Sequence, residues 1–361
     1  MKLLIQAPGP LTSVQDLGRW GYQAIGMPVS GAMDAPALIR GNILLGNPDN
    51  AAALEMTMTG PTVLFKEGNG AIAITGADLQ PKLNGQKISN WTVINVKAGD
   101  VLTWGGPCGS GLRAYLCVSG GIDVPVVMGS RSTYMKAKIG GLEGRKLAQN
   151  DELSTGQQGG FNAGVSCPEN LRPDYSADKP LRTVLGPQDD YIKPEGIKTF
   201  FSTEYKISPS SDRMGTRLQS DSIIEHVKGP DIVSDAIPMG AVQIPGQGVP
   251  IVMMADRQTT GGYVKIGVVH ALDVARLSQF MPGSPVKFTE ITQEQGIEIS
   301  KSEANLLNLL RSHVAEFNTG KDLTPSPQAT LSPLAGGASI RGAMNITVNG
   351  EKFFVIWEKL S

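Results

Sequence analysis

Residues 240–263, with the sequence GAVQIPGQGVPIVMMADRQTTGGY, constrain the fold more than any other part of the chain. Two short apolar runs, 241–244 and 249–254, flank a Pro-Gly-Gln-Gly sequence that is typical of a turn. Runs of this length are too short for helices but suit buried strands. The alternation recurs along the chain, which contains 44 glycines and 24 prolines but only 6% aromatic residues. The pattern therefore predicts a mainly β protein.

A polar segment follows the second apolar run. A buried strand would fix its backbone, and the glycines would let a ligand approach closely. We therefore interpret it as a binding site, although an ordinary polar hairpin loop explains the same residues and the sequence leaves both interpretations open. The candidate catalytic residues are Asp256, Arg257 and Thr260, and the candidate substrate-binding residues are Gln258, Thr259, Gly261, Gly262 and Tyr263.

The composition argues against several classes of function. The net charge is −1 and only 18% of residues are charged, which gives no field that would recruit nucleic acid or an anionic membrane. The three cysteines lack CxxC spacing and the three histidines lie far apart, so we expect no metal site and a reducing compartment. The first apolar run ends at Ile5, too short for a signal peptide, and no run is long enough to span a membrane. We expect a cytoplasmic protein.

Most of the chain is predicted to form short strands, including 62–65, 71–74, 92–96 and 114–118, as in a barrel or sandwich. Helices are expected over 35–45, 271–279 and 293–317, the last with Ile297, Ala304, Leu307 and Leu310 facing the core. The predicted divisions are a domain over 1–160, a linker over 161–180, a second domain over 181–320, a Pro/Ser/Gly linker over 321–344 and a β-hairpin over 345–361 turning at 349–350.

Other charged residues stand beside glycines. Arg131 and Ser132 follow the apolar run 124–128, and Arg213 and Arg217 flank Gly215. We assign these four to substrate binding, with the two later arginines alternatively at a partner interface; solvated surface charges are the competing interpretation. The run VPVVM at 124–128 recurs as VPIVM at 249–253, which suggests two similar domains in tandem. Glu55, inside an apolar strand, is more simply an edge-facing or hydrogen-bonded carboxylate than a catalytic one.

Eight motifs in order give the chain a specific resemblance over roughly residues 1–310. They are GPLTSVQDLGRWGY from Gly9, SGAMD from Ser30, ALEMTMTGP from Ala53, GGIDVPVVMGSRST from Gly120, IGGLEGR from Ile139, GPQDDY from Gly186, SDRMGTRL from Ser211 and DRQTTGGY from Asp256. With these motifs the chain resembles the allophanate hydrolase subunit 2 family, which is similar to the A–B half of biotin-dependent carboxyltransferases. The family includes the C-type subunit of 5-oxoprolinases, the regulator KipA and half of the urea carboxylase carboxyltransferase domain.

The resemblance implies a fold of two cyclophilin-like β-barrel domains in tandem with a few short helices. It implies one subunit of an ATP-dependent 5-oxoprolinase, inactive alone, which opens 5-oxo-L-proline to L-glutamate. The implied partners are a C–D-type carboxyltransferase protein (the B-type subunit of 5-oxoprolinase or a KipI-like protein) and a protein like the A-type subunit, with ATP used by the complex. The alternatives are a carboxyltransferase that receives carboxybiotin from a separate carrier and acts on a urea-like amide, or a KipA-like protein that sequesters its partner.

Overall fold

The computed structural model describes residues 1–157, 159–319, 341–348 and 351–358. Strands dominate and helices are few, as predicted. Two β units follow one another along the chain, and we call them the first and second barrel. Each has its own apolar core: the first is centred on residues such as Leu3, Phe65 and Leu116, and the second on residues such as Phe200, Val252 and Ile266.

The first barrel contains a seven-stranded sheet in the order β11-β12-β1-β4-β9-β6-β7 and a five-stranded sheet in the order β2-β3-β10-β5-β8. Its strands alternate buried and exposed side chains where one face meets solvent, as in β4, and are buried throughout where both faces are covered, as in β10. The strands are β1 Lys2–Ala7, β2 Leu11–Gln15, β3 Ala53–Thr57, β4 Thr62–Glu67, β5 Asn69–Gly76, β6 Pro81–Leu83, β7 Gln86–Lys87, β8 Val93–Lys97, β9 Val101–Trp104, β10 Arg113–Val118, β11 Ile122–Asp123 and β12 Glu152–Thr155.

The second barrel contains an eight-stranded sheet in the order β21-β14-β15-β18-β17-β20-β13-β22. A separate antiparallel pair, β16 with β19, extends from it, and we call this pair the ribbon. The strands are β13 Leu181–Leu185, β14 Tyr205–Ile207, β15 Gly215–Gln219, β16 Asp231–Ala236, β17 Ala241–Gln243, β18 Ile251–Met253, β19 Thr260–Tyr263, β20 Lys265–Val269, β21 Pro285–Val286 and β22 Phe288–Glu290.

The helices begin where capping residues stand in the sequence. Asp34 accepts a hydrogen bond from the backbone of Ala37 at 3.1 Å, and Thr292 and Gln295 form a capping box. The described helices are α1 Ala35–Leu44, α2 Pro194–Ser202, α3 Ala271–Leu277 and α4 Gln293–Asn318, with short 3-10 turns at Gln23–Ile25, Glu169–Leu171 and Asp189–Tyr191. The three helices predicted from the sequence are present as α1, α3 and α4, and α2 was not predicted.

Helix α4 packs on the first barrel and on α1 through part of the predicted stripe, with Leu310 buried and Leu307 partly buried as expected. Leu310 and Val314 are buried there, whereas Ile297 is 47% exposed and Ala304 is exposed. The apolar contacts with α1 and residues 161–180 come from the C-terminal half of α4, whereas Glu303, nearer its N-terminus, forms an ion pair with Arg40 of α1. Cys167 and Leu171 of that last segment are buried in the same cluster.

Buried polar groups join the two barrels. The guanidinium of Arg213, in the second barrel, is enclosed between Glu55 of the first barrel and Asp256 of the second. Gln279 reaches from the second barrel to the first, accepting from the backbone of Arg113 at 2.7 Å and donating to Asp34 at 2.7 Å. Because these buried groups satisfy one another, the contact fixes the relative position of the barrels.

The two copies of the five-residue sequence repeat have different structures, so the predicted structural repeat is wrong. Residues 251–253 form β18, whereas residues 124–128 form an irregular loop with one isolated β-bridge at Val127.

The C-terminal strands form an antiparallel pair, β23 Arg341–Val348 with β24 Glu351–Glu358. Residues 321–340 of the predicted linker and the predicted turn at 349–350 lie outside the described residues, whereas residues 341–344, predicted as linker, belong to β23.

Candidate functional site

The polar segment after β18 lies at one end of the second barrel. The chain leaves β18, turns through residues 254–257 and enters β19, where residues 260–263 pair with β16. The segment therefore runs from a buried turn into the ribbon. Gln258 and Thr259 are partly exposed, Gly261 and Gly262 partly buried, and Thr260 and Tyr263 exposed.

Arg257 is a buried cation without an acidic partner. Its side chain is 6% exposed, Nε donates to the carbonyl of Ile237 at 2.9 Å, and Nη1 donates to the carbonyl of Met254 at 3.3 Å. Burial alone lowers its pKa to about 10, and no described carboxylate offsets this. The guanidinium stays charged at neutral pH, and Nη2 donates to none of the described residues. Arg257 is therefore prepared to bind an anionic or carbonyl oxygen.

Lys265 and Gln243 form a second group of unsatisfied donors. The two residues are cross-strand partners between β17 and β20, so their side chains lie on the same face. Lys265 is fully buried and Gln243 is 2% exposed, yet neither Lys265 Nζ nor Gln243 Nε2 has a hydrogen-bond partner among the described residues. Such unpaired groups cost free energy and call for a functional explanation.

The ribbon covers this pair. Asp235 on β16 forms a long ion pair with Lys265, with 3.4 Å between Oδ2 and Nζ, and the Asp235 side chain is half exposed. Gln188 connects the two, because its Nε2 donates to Asp235 Oδ2 at 3.3 Å and its Oε1 accepts from the Lys265 backbone at 3.2 Å. The backbone bond to Ala236 and the charge of Lys265 lower the pKa of Asp235.

Gly261 explains how closely the ribbon lies on the barrel. A Cβ at this position would lie 2.6 Å from Ile237 Cδ1 and 3.1 Å from Gln243 Nε2. The first distance is shorter than a Cβ contact allows and the second is tight, so a larger residue here would require the ends of the Ile237 and Gln243 side chains to shift. Gly261 therefore brings the predicted segment onto a polar pair that the sequence prediction did not include.

Asp256 lies beside Arg257 but faces the junction of the barrels. It accepts from Arg213 Nε at 2.9 Å and from Ser30 Oγ of the first barrel at 2.6 Å. Arg213 is 6% exposed and its donors are used by Asp256, Glu55 and the carbonyl of Gly31. The pair is placed to hold the barrels together, and Glu55 is the hydrogen-bonded carboxylate that the sequence indicated.

The remaining predicted residues lie outside the ribbon and its turn. Arg217 is exposed on β15, in one cross-strand row with Ile251, Gln243 and Lys265 and three strands away from Lys265. Arg131 pairs with Asp123 at 3.1 Å, and its backbone N–H donates to Asp16 at 2.6 Å. Ser132 also donates to Asp16 and is buried. Arg131 lines a cleft of about 480 Å³ in the first barrel, together with six glycines and Asp16, whose carboxylate accepts hydrogen bonds from Gly18, Ser130, Arg131 and Ser132.

Lys265 and Gln243 were missed although a signal was available. Each is a single polar residue within an apolar strand, in the sequences AVQI and VKIGVV. A long polar side chain in such a strand either reaches solvent or requires a buried partner. In the described part of the chain, no group of three or more His, Cys, Asp or Glu residues could hold a metal ion, and no helix is long and apolar enough to cross a membrane.

Comparison with known proteins identifies the family. A family model described as the carboxyltransferase domain, subdomain A and B, matches residues 25–290. The chain is 37% identical to the C-type subunit of Escherichia coli 5-oxoprolinase over 301 residues, covering 83% of this chain and 95% of that protein. It is 35% identical to the corresponding 5-oxoprolinase subunit of Haemophilus influenzae over 312 residues, covering 85% and 96%. The structure of the K. lactis urea amidolyase superposes with a TM-score of 0.80 at 31% identity, over 86% of this chain and 20% of that one.

Proposed function

The chain belongs to the family of carboxyltransferase domains with subdomains A and B, and from this premise we propose that it is one subunit of an ATP-dependent 5-oxoprolinase. Two relatives that match nearly over their full lengths are 5-oxoprolinase subunits. They support a role within a multi-subunit enzyme that opens 5-oxo-L-proline to L-glutamate. The match to urea amidolyase spans only a fifth of that longer protein, so it supports the second candidate, an amide carboxyltransferase, less directly.

The observation that carries the proposal is the uncompensated positive charge of Arg257. Opening a lactam places negative charge on the carbonyl oxygen, and a preorganised guanidinium in a site of low polarity stabilises such charge. Arg257 lies in a buried turn held by two backbone carbonyls, so its orientation is fixed before a ligand binds. We assign it the lactam carbonyl oxygen. Thr260 and Tyr263, exposed on the ribbon, are placed to contact the substrate or another protein of the complex.

The sequence contains neither a Walker-type phosphate-binding loop nor a dinucleotide fingerprint, so we assign the ATP-binding site to a partner protein. We propose as those partners a C–D-type carboxyltransferase protein and a protein like the A-type subunit of 5-oxoprolinase, in the cytoplasm. A carboxybiotin carrier is required only by the second candidate. In that case Arg257 would bind the carbonyl of a urea-like amide.

Reconstitution tests the assignment. The chain is combined with the products of neighbouring genes, and ATP-dependent release of glutamate from 5-oxoproline is measured beside carboxylation of urea with a biotinylated carrier. Glutamate release that requires this chain supports the proposal. Urea carboxylation without glutamate release would favour the second candidate. A stable complex that does neither would favour a sequestering regulator.

A further inference from the structure

We propose that Lys265 and Gln243 form a binding site for the carboxylate of the substrate, and that Asp235 of the ribbon occupies this site when no substrate is bound. The inference rests on the proposed function and extends it. It states that the enzyme recognises lactams that carry a carboxylate and distinguishes them from neutral amides. Arg257 and the Lys265–Gln243 pair would then bind opposite ends of one small molecule.

The composition of the pair determines the ligand. Lys265 Nζ and Gln243 Nε2 are both donors, both are buried, and neither has a hydrogen-bond partner in the described part of the chain. Two adjacent unpaired donors, one of them cationic, require an acceptor with two oxygens and a negative charge. A neutral carbonyl would leave the charge of Lys265 uncompensated, whereas a carboxylate satisfies both.

Asp235 indicates how the site remains stable when empty of substrate. Its carboxylate lies 3.4 Å from Lys265 Nζ, close enough to offset the charge but too far for a strong charge-assisted hydrogen bond. It is carried on the ribbon and is half exposed, so it can leave without breaking the eight-stranded sheet. A substrate carboxylate at hydrogen-bond distance would replace a weak ion pair by a stronger one.

Access requires the ribbon to move, because Lys265 is fully buried beneath it. The ribbon consists of two strands outside the main sheet, and β16 is exposed along nearly its whole length. A two-stranded pair has little stability of its own. Displacing it breaks the contacts of Asp235 and Gly261 with the barrel and leaves the core strands β17 and β20 paired.

The test compares ligands that differ by one carboxylate. Binding of 5-oxo-L-proline and of 2-pyrrolidinone, the same lactam without its carboxylate, is measured by calorimetry on the full chain and by KM in the reconstituted complex. Bicarbonate serves as a third probe, for a carboxyl group delivered by a carrier. The variants are Lys265→Met, Gln243→Met and Asp235→Asn, with Lys206→Met as control because Lys206 is exposed on β14 of the same barrel.

We expect Lys265→Met to weaken 5-oxoproline binding about 10- to 100-fold and to leave 2-pyrrolidinone unchanged, with a smaller loss for Gln243→Met. Asp235→Asn should strengthen 5-oxoproline binding about two- to five-fold, because it removes the competing carboxylate. A purely structural ion pair predicts no gain from Asp235→Asn. If Lys265→Met does not fold, the opposite effects of Gln243→Met and Asp235→Asn decide.

Unchanged 5-oxoproline affinity in Lys265→Met, or equal losses for both lactams, would overturn the inference. Absence of 5-oxoproline binding to both chain and complex would do so too, as would binding of bicarbonate alone. A different result would overturn the proposed function but not this inference: 5-oxoproline binds in a Lys265-dependent manner, but the complex releases no glutamate from it.

Discussion

Arg213 in the second barrel and Glu55 in the first form a buried ion pair across the junction of the two barrels. Asp256 accepts two further hydrogen bonds from the same guanidinium, at 2.9 and 3.0 Å. The sequence around Arg213 suggested a substrate-binding arginine, but the Arg213 side chain binds carboxylates within the protein itself. Asp256 directly precedes Arg257, so the ion pair that joins the barrels also anchors the turn that orients Arg257.

Arg213→Met is expected to destabilise the protein by about 3–5 kcal/mol, because it leaves Glu55 and Asp256 buried without their cation. Urea unfolding followed by circular dichroism measures the loss. The control is Arg217→Met, on the neighbouring strand and exposed, which should change stability by less than about 0.5 kcal/mol. Equal stability of the two variants would show that the junction does not depend on this ion pair.

Arg257→Lys is expected to lower kcat/KM of the reconstituted enzyme about 10- to 100-fold while the fold persists. Lysine keeps the charge but loses the planar fork that donates to Ile237 and Met254. Glutamate release is measured together with the unfolding midpoint, and Arg311→Lys, at an exposed arginine of α4, is the matched control. Wild-type kinetics in Arg257→Lys would remove this residue from the active site.

Two buried thiols predict a loss of stability in alkali. Burial raises the pKa of Cys117 to about 12 and that of Cys167 to about 11, against 9.0 in the unfolded chain. The native state therefore retains protons that the unfolded chain loses above pH 9, so stability falls as pH rises from about 9 towards 11–12. Between pH 8 and 10 this effect should cost about 2.5–3 kcal/mol.

The comparison that isolates this effect is the double variant Cys117→Ala/Cys167→Ala. Its absolute stability is lower, because it loses packed volume, but its stability should depend less on pH between 8 and 10. Urea midpoints at the two pH values measure the difference. Parallel curves for the wild type and the variant would assign the alkaline loss to other groups.

Much of the fold could be predicted from local patterns. Short apolar runs between turns give the strands, and Asp34 and Thr292 mark the starts of α1 and α4. The stripe of α4 that faces the core was predicted correctly at Leu307 and Leu310, but the sequence could not show that Ile297 and Ala304, nearer the start of α4, remain exposed. The similarity of 124–128 to 249–253 was misleading for a related reason. An apolar run forms a strand only where a neighbouring strand is available to pair with it.

The candidate site was predictable in part. The charge and glycine content of residues 256–263 predicted a binding site in this segment. In the structure the segment contains Arg257, a buried cation, and Gly261, which lies close to the barrel. Arg257 has no acidic partner among the described residues, whereas Arg213 has two, Glu55 and Asp256. The sequence could not show this difference, because Glu55 lies 158 residues away from Arg213. Lys265 was overlooked for the opposite reason: it stands alone in an apolar strand and belongs to no polar motif.

The isolated chain is expected to be catalytically silent. Opening the lactam with ATP requires a nucleotide site, and the sequence contains no phosphate-binding loop of the Walker type. Arg257 and Lys265 can bind a carbonyl and a carboxylate, but they cannot activate the carbonyl oxygen by phosphorylation. We therefore expect neither ADP nor glutamate from the purified chain with ATP and 5-oxoproline, and both after the partner proteins are added. The control is the partner proteins with the Arg257→Lys chain, which separates assembly from chemistry. Turnover by the lone chain at the rate of the complex would contradict a shared active site and would require a nucleotide site within this chain.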